Sequence, residues 1–339
     1  MAARPSMKQI AREAGVSTQT VSRVLNKRPD VALETRQRIQ DIIDRLEYQP
    51  NALARSLIHQ RSLTIGVIIA NLGYHGPSQI LSGIARQAEH AGYTIILKEL
   101  LDPHTDDFDP ALRSLLARRV DGIIWAMPGI GGRRNWAASR VKHRSTPLLS
   151  LTEADHPGLT VVAIDNYRGG YLATQHLLAR GCRHIGHITG PLDWLEADLR
   201  RRGWAEALAE AGLPPAAGQC VIGDWTSKSG MLAFRRLLEQ YPEMDAVFVA
   251  NDQMAFGALN VAWQSGRRVP DQLAVIGFDD LPESAYMCPP LTTIHQDPFQ
   301  LGCAAVEEIV QMIDAAERGQ APEEAKLVLV SPELVVRQS

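Results

Sequence analysis

Cysteine is scarce in this 339-residue sequence: Cys182, Cys220, Cys288 and Cys303 are scattered without paired spacing. That excludes a disulfide framework or a cysteine-rich zinc site and makes buried free thiols the expectation. No apolar run approaches the roughly 20 residues of a membrane span. The N-terminus lacks an apolar signal core, so a cytoplasmic protein with no membrane partner is expected. Catalytic signatures are also missing. There is no G-x-S-x-G elbow and no Walker sequence, and the GIGG run at Gly129–Gly132 lacks the context of a dinucleotide fingerprint. The acidic stretch holding Asp102, Asp106, Asp107 and Asp109 lacks the glycine and terminal glutamate of a calcium loop. His184 and His187, three apart on an expected strand, would face opposite sides and hold no metal. No nucleophile–base set emerges, so neither an enzyme nor a cofactor is expected.

What is present is a soluble globular composition, 45% hydrophobic and 22% charged, in a chain too long for one ordinary core. The net charge of −3 hides an asymmetry. Through Arg61 the sequence carries eleven basic and six acidic residues, a net of +5, which leaves −8 for the rest. A basic head directs itself at phosphate, and an acidic body stays away from it.

The head begins with two short helical patterns. Lys8–Ala14 places Ile10, Ala11 and Ala14 on one side, and Gly15 permits a tight turn. Ser17 is placed to accept from the first free N–H groups of a helix over Thr18–Leu25. Val21, Val24 and Leu25 give that helix an apolar back, and its front is Thr18, Gln19, Ser22 and Arg23. A donor-rich front suits the major groove, where base edges carry a distinct code; the plain alternative is a surface helical hairpin. A third helix is expected at Thr35–Leu46, with Ile39, Ile42, Ile43 and Leu46 inward. After Tyr48-Gln49-Pro50, Asn51–Leu57 has room for one or two helical turns. So short a helix is marginal alone, so it should be disordered off DNA and helical on it.

The stretches IAREAGVSTQTVSRVLN and TRQRIQDIIDRLEYQPNALARSL resemble the head and hinge of the LacI/GalR family of bacterial transcriptional repressors. The resemblance implies that Thr18 and Gln19 read bases with Arg23 in support. Ser17, Thr20 and Ser22 would hold phosphates or cap the helix, with Asn26 and Asn51 completing the DNA-facing set. It also implies paired hinge helices in the minor groove, with Leu57 wedged between base pairs and Ala54 facing its partner.

From Leu63 apolar runs alternate with helical stretches: LTIGVIIA, YTIILKE, VDGIIWAM and TPLLSL in one series, then LTVVAID, HIGHITG, CVIG, DAVFVA and LAVIGFDD in a second. Strand–helix alternation implies parallel sheets covered on both faces, in two similar halves. The expected architecture is an all-α helix-turn-helix head plus an α/β periplasmic-binding-protein-like body of two doubly wound parallel-sheet subdomains. The boundaries are 1–49 for the head, 50–62 for the hinge and linker, and 63–339 for the effector-binding and dimerisation domain. Within the last, one subdomain covers about 63–162 and 292–323, and the other about 163–291 and 324–339. Ligand is expected at the strand ends, in the cleft between halves.

The motifs NLGYHGPSQI, GDWTSKSG, NDQMAFGAL, IGFDD and PPLTTIHQD are similar to those of the lactose-responsive members of that family, and GPLDWLEADLRRRGW matches their effector-binding loop and helix. The resemblance implies a polyol pocket. In it Asp279 accepts from neighbouring hydroxyls, Arg200 donates as a rigid fork, Asn251 does both, and Trp225 offers a flat face. Gln296, on a crossover, couples closure to ligand, and Tyr74, Pro77 and Ile80 complete the effector-binding set. The plain alternatives are a turn carboxylate for Asp279, a solvated face for Arg200 and core packing for Trp225. Thr152 and Pro298 stand where those members carry an acidic and an aromatic sugar contact, so a related glycoside or a monosaccharide is as compatible as lactose.

The expected function follows. It is a dimeric repressor of carbohydrate-utilisation genes, bound to a palindromic operator on the nucleoid and released by a small sugar or glycoside. The closing ELVVRQS carries no leucine heptads, which points to a dimer. A sugar-binding transport component, a non-sugar effector such as a purine, and an activator role are the alternatives.

Overall fold

The computed structural model describes residues 5–25, 28–48, 61–101, 107–130, 146–152, 158–320 and 325–339. Asn26, the hinge residues Asn51, Ala54 and Leu57, and Asp102 and Asp106 lie outside them. The chain divides into two compact units, Met1–Leu63 and Thr64–Ser339.

The first unit is three helices, α1 (Met7–Ala14), α2 (Thr18–Leu25) and α3 (Leu33–Arg45). Ser6 caps α1 by accepting from Gln9 N, and Gly15 ends it at φ 65°, the left-handed conformation that glycine adopts without strain. Ile10, Ala11, Ala14, Val21, Val24, Ile39, Ile42 and Ile43 form its small core, with Leu25 and Leu46 packed against it. The third helix starts two residues earlier than the apolar pattern suggests, because Leu33 and Glu34 extend it without contributing to the core; Leu33 is 84% exposed.

The second unit holds β1 (Thr64–Ala70), α4 (His75–His90), β2 (Thr94–Leu100), α5 (Asp109–Leu116), β3 (Gly122–Ala126), β4 (Leu148–Ser150) and β5 (Thr160–Ile164). Then follow α6 (Asn166–Ala179), β6 (Ile185–Thr189), α7 (Leu195–Glu210), β7 (Cys220–Ile222), α8 (Ser227–Gln240), β8 (Ala246–Val249), α9 (Asp252–Gln264) and β9 (Ala274–Asp279). The chain closes with β10 (Thr292–His295), α10 (Pro298–Glu317), β11 (Leu327–Val330) and β12 (Glu333–Val335). Among the described residues these strands make two six-stranded sheets, ordered β11-β5-β4-β3-β1-β2 and β12-β10-β9-β8-β6-β7. Neighbours are parallel except for the antiparallel β10–β12 pair. Central strands such as β5 and β8 are buried along their whole length, whereas the edge strands β2 and β11 alternate. Burial on both faces is why the central runs read as continuously apolar. Each sheet has one apolar cluster per face, the signature of a doubly wound layer.

Two expected crossings between the halves move. Thr292–His295 pairs with β9 and so still belongs to the second sheet; the chain crosses after it, into α10. Leu327–Val330 pairs with β5 in the first sheet, and the return crossing comes before β12. Strand patterning states that a segment is a strand but not which sheet accepts it. Among the thiols only Cys303 meets the buried expectation; Cys182 and Cys220 are half-buried, and Cys288, in the turn before Pro289, is exposed. Among the described residues no helix is long and apolar enough to cross a membrane.

Candidate functional site

Two surfaces carry chemistry. In the first unit Ser17 Oγ accepts from Thr20 N at 3.1 Å and bonds the Thr20 hydroxyl at 3.0 Å. Both hydroxyls are thus engaged in starting α2, the capping role open to them on sequence grounds. Thr18, Gln19 and Arg23 are exposed, and Ser22 is half-buried. Arg23 Nη1 lies 3.3 Å from Asp30, each side chain about half exposed (50% and 53%). Such a pair contributes at most about 1 kcal/mol, so the guanidinium is readily released to another acceptor.

In the second unit a cavity of about 190 Å³ lies between the halves. It brings together Asp279 from the end of β9, Arg200 from α7, Asn251 at the start of α9, Trp225 from the β7–α8 loop, and Gln296 after β10. Tyr74, Pro77 and Ile80 line it from α4 and the turn before it, and Thr152 and Pro298 also face it. Every effector candidate read from the sequence therefore reaches one cavity.

Arg200 is no solvated residue: it is 6% exposed, although Arg201 and Arg202 adjoin it. Its Nε donates to Asn166 Oδ1 at 2.8 Å and its Nη1 to Ala250 O at 2.5 Å. The guanidinium carbon lies 3.6 Å from the Phe278 ring centroid. Nη1 is 3.8 Å from Asp279 Oδ1. Among the described residues Nη2 makes no hydrogen bond, which leaves it as the fork's free donor. Close helix packing fixes this arrangement. A Cβ on Gly170 of α6 would lie 2.2 Å from the Arg200 carbonyl oxygen, so only glycine lets α6 approach α7 there.

Asp279 sits at φ 123° and Asp280 at φ 59°, both in the left-handed region that disfavours residues with a Cβ. Backbone held this way costs about 1–3 kcal/mol per residue and persists only where its surroundings over-determine it. Asp252 supplies part of that restraint. Its carboxylate is fully buried and accepts from Leu281 N at 2.8 Å, Ser284 Oγ at 2.6 Å and Thr293 Oγ1 at 2.6 Å. Arg337 Nη2 holds Asp280 Oδ1 at 2.7 Å, and His295 Nδ1 lies 3.2 Å from its Oδ2. Burial pushes the Asp279 carboxyl up to about 7 against the opposing pull of Arg200. Burial likewise pushes Asp252 up to about 6, and its three donors pull the other way.

Gln296 Nε2 donates to Asp279 Oδ1, which occupies one acceptor lobe and links the crossover to the carboxylate. Asn251 is already doubly engaged: Oδ1 caps α9 through Met254 N at 2.9 Å, and Nδ2 donates to Trp225 O at 3.0 Å. Trp225 serves as core and wall at once. It is 9% exposed within an apolar cluster, adopts φ 74°, and stands edge-on to Trp194 at 6.0 Å. Thr152 donates its hydroxyl to Met127 O, so toward the cavity it offers an acceptor. Of the two histidines set apart by the sequence, His187 is stacked between Trp204 and Phe248, where burial pushes it down to about 3, and the exposed His184 bonds Tyr241.

Sequence patterning does not single out Asn166, Phe278 or Asp252. Asn166 and Asp252 each follow a strand and open a helix, a position that gives the only available signal, since ligand-facing residues gather at strand C-termini.

The comparisons with known proteins agree with this layout. Residues 6–51 match the model of bacterial regulatory proteins of the lacI family, and residues 174–339 that of a periplasmic binding protein-like domain. The lactose operon repressor of Escherichia coli (strain K12) is 34% identical over 322 residues, spanning 95% of this chain and 87% of that protein. The HTH-type transcriptional repressor PurR of Edwardsiella ictaluri is 35% identical over 338 residues, spanning 98% and 96%. A Lac repressor dimer solved with operator and the anti-inducer ONPF aligns over 99% of both chains, with a TM-score of 0.85 at 33% identity. The chain therefore belongs to the lacI family of bacterial regulatory proteins, as a non-catalytic, sequence-specific DNA-binding repressor governed by a small molecule held in its periplasmic-binding-protein-like body.

Proposed function

We propose that this repressor acts as a homodimer on a palindromic operator before carbohydrate-utilisation genes, in the cytoplasm on nucleoid DNA, and that a small sugar or glycoside releases it. The observation that carries the sugar reading is the Asp279–Arg200 pair beside the Trp225 ring, all in one cavity. A carboxylate accepts from neighbouring hydroxyls, a guanidinium donates to ring or hydroxyl oxygens, and an indole covers the C–H face of a pyranose.

Two heads on one palindrome multiply effective concentration, which a single head with few base contacts needs. Thr18 and Gln19 read bases, Arg23 supports them, and the segment around Asn51, Ala54 and Leu57 enters the minor groove. Sugar favours a body arrangement that separates the two hinges, so operator affinity falls. The coupling is reciprocal, so operator weakens sugar binding by the same factor, typically 1–3 kcal/mol. Binding of the purified protein to DNA upstream of its own gene, titrated with mono- and disaccharides, tests the reading. Release by one sugar supports it, and tight binding that no sugar changes removes the carbohydrate effector while keeping the repressor.

A further inference from the structure

Beside the outward face of α2 stands a carboxylate that the DNA reading does not use. Asp30 lies in the turn between α2 and α3, with its Oδ2 3.3 Å from Arg23 Nη1. The turn is built to hold it there. Arg28 N donates to Arg23 O at 2.9 Å, Arg36 Nη2 donates to Arg28 O, and Val31 packs on the apolar core of the unit. Pro29 fixes its own φ just before Asp30. Other acids of this unit are engaged on α1 and α3: Glu13 with Gln9 and Arg45, Asp41 with Gln37, and Asp44 with Gln40. Non-specific DNA binding is almost wholly electrostatic, and the eleven basic against six acidic residues through Arg61 serve it. A carboxylate beside Arg23 works against that surplus, so its contribution must lie elsewhere. A guanidinium carries five N–H donors in a planar fork. The contact through Nη1 leaves the Nε–Nη2 edge, which makes no hydrogen bond among the described residues and matches the O6 and N7 acceptors of guanine. A long arginine stem with no partner reaches whichever phosphate is nearest, a contact that carries no sequence information.

Building on the reading that Arg23 supports base recognition, we propose that Asp30 is a positioning residue for operator discrimination: it holds the Arg23 guanidinium toward a base edge and away from phosphate. It lowers affinity for DNA of arbitrary sequence and raises the ratio of operator to non-operator binding. Both side chains are half exposed, so the pair adds little to folding. The same modest energy suffices to bias Arg23 between a base edge and a phosphate, because discrimination depends on the difference between the two.

The test uses the effector-free full chain. Selection from a random duplex library yields its preferred sequence. Fluorescence anisotropy then measures the selected duplex, its single-base variants and a scrambled duplex over a salt series. Arg23→Ala identifies the base position that Arg23 serves. Asp30→Asn should reduce discrimination at that position by about threefold and tighten binding to the scrambled duplex by about threefold, the scale of an exposed ion pair. Salt dependence on the scrambled duplex should steepen by about one phosphate contact, because the released guanidinium takes a phosphate. Placed on Arg23→Ala, the same Asp30→Asn change should neither alter discrimination at that position nor steepen the salt dependence. A role in folding alone would weaken every position together, and thermal melting of each variant verifies the head. Discrimination unchanged in Asp30→Asn, or lost equally at all positions, overturns the proposal. So does an equal effect of Asp30→Asn with and without Arg23, which would reduce Asp30 to bulk charge. Should Arg23→Ala alter no base preference, the base-reading role of Arg23 fails by itself, and the proposal falls with it.

Discussion

The two units of this chain meet their ligands in opposite ways. The head keeps its chemistry outside: Thr18, Gln19 and Arg23 are exposed on α2, over a core of small and branched apolar side chains. The body keeps its chemistry inside: Arg200 and Asn251 are each 6% exposed, and the Asp279 carboxylate beside Arg200 sits on left-handed backbone. A duplex offers a broad groove whose base edges an unstrained, outward helix can reach. A small molecule must be stripped of water on most sides, so the groups that receive it are fixed in advance, at the cost of backbone strain and buried charge. Exposed recognition therefore needs only a folded helix, whereas buried recognition needs a supporting network.

That contrast is open to breakage. The largest effect is expected from Asp279→Ala. It leaves the buried Arg200 without its counter-charge, and effector affinity should fall by about 2–5 kcal/mol, while operator affinity without effector stays unchanged. Calorimetric titration and operator gel shift on the same preparation check both halves of the statement.

Asp252→Ala comes next. Leu281 N, Ser284 Oγ and Thr293 Oγ1 lose their common acceptor. At about 1–3 kcal/mol for each buried donor left unsatisfied, the body should lose roughly 3 kcal/mol or more. Differential scanning calorimetry should show the body's transition moving down and the head's staying in place; equal shifts in both would show that the units are not independent.

Gln19→Ala should weaken operator binding by about 1–3 kcal/mol and relax discrimination at one base position. Sugar affinity should not change.

The pH dependence sharpens the same contrast. The form of Asp279 that accepts from hydroxyls is the carboxylate, and burial pushes its pKa up to about 7. Lowering the pH through that value protonates it, so effector affinity should fall about tenfold between pH 8 and pH 6. Sugar binding in that window should release a proton, and Asp279→Asn should flatten the profile. Operator binding of the effector-free protein should not show this step.

The smallest effect is expected from Asp30→Ala, which frees Arg23 from an exposed ion pair. Head stability should change by less than about 1 kcal/mol by thermal melting.

The head was readable in sequence almost residue by residue because its determinants are local. Gly15 ends one helix, Ser17 begins the next, and α2 spans the Thr18–Leu25 set by the apolar spacing. The body's layers were equally readable, since continuous apolar runs mark strands buried on both faces. The crossings at His295 and Val330 were displaced by a few residues because a strand carries no label for its sheet. The cavity residues could be named by family likeness, but their engagement could not. Nothing local shows that Asn251 spends both ends of its amide on the fold, or that Arg200 rests on Phe278.

The sequence by itself determined the helix-turn-helix, the two series of strands and helices, the basic head on an acidic body, and the family. Periodicity, capping and composition act over a few residues and survive without knowledge of the rest of the chain. Only the tertiary structure decided the state of the cavity: which carboxylate is pushed toward neutral pH, which donor remains free, and that Glu196 shares the space. Those properties come from burial and from distances between Asn166, Arg200, Asn251, Asp279 and Gln296, groups far apart in the chain. Electrostatic energy depends on separation and surrounding dielectric, and a linear sequence specifies neither.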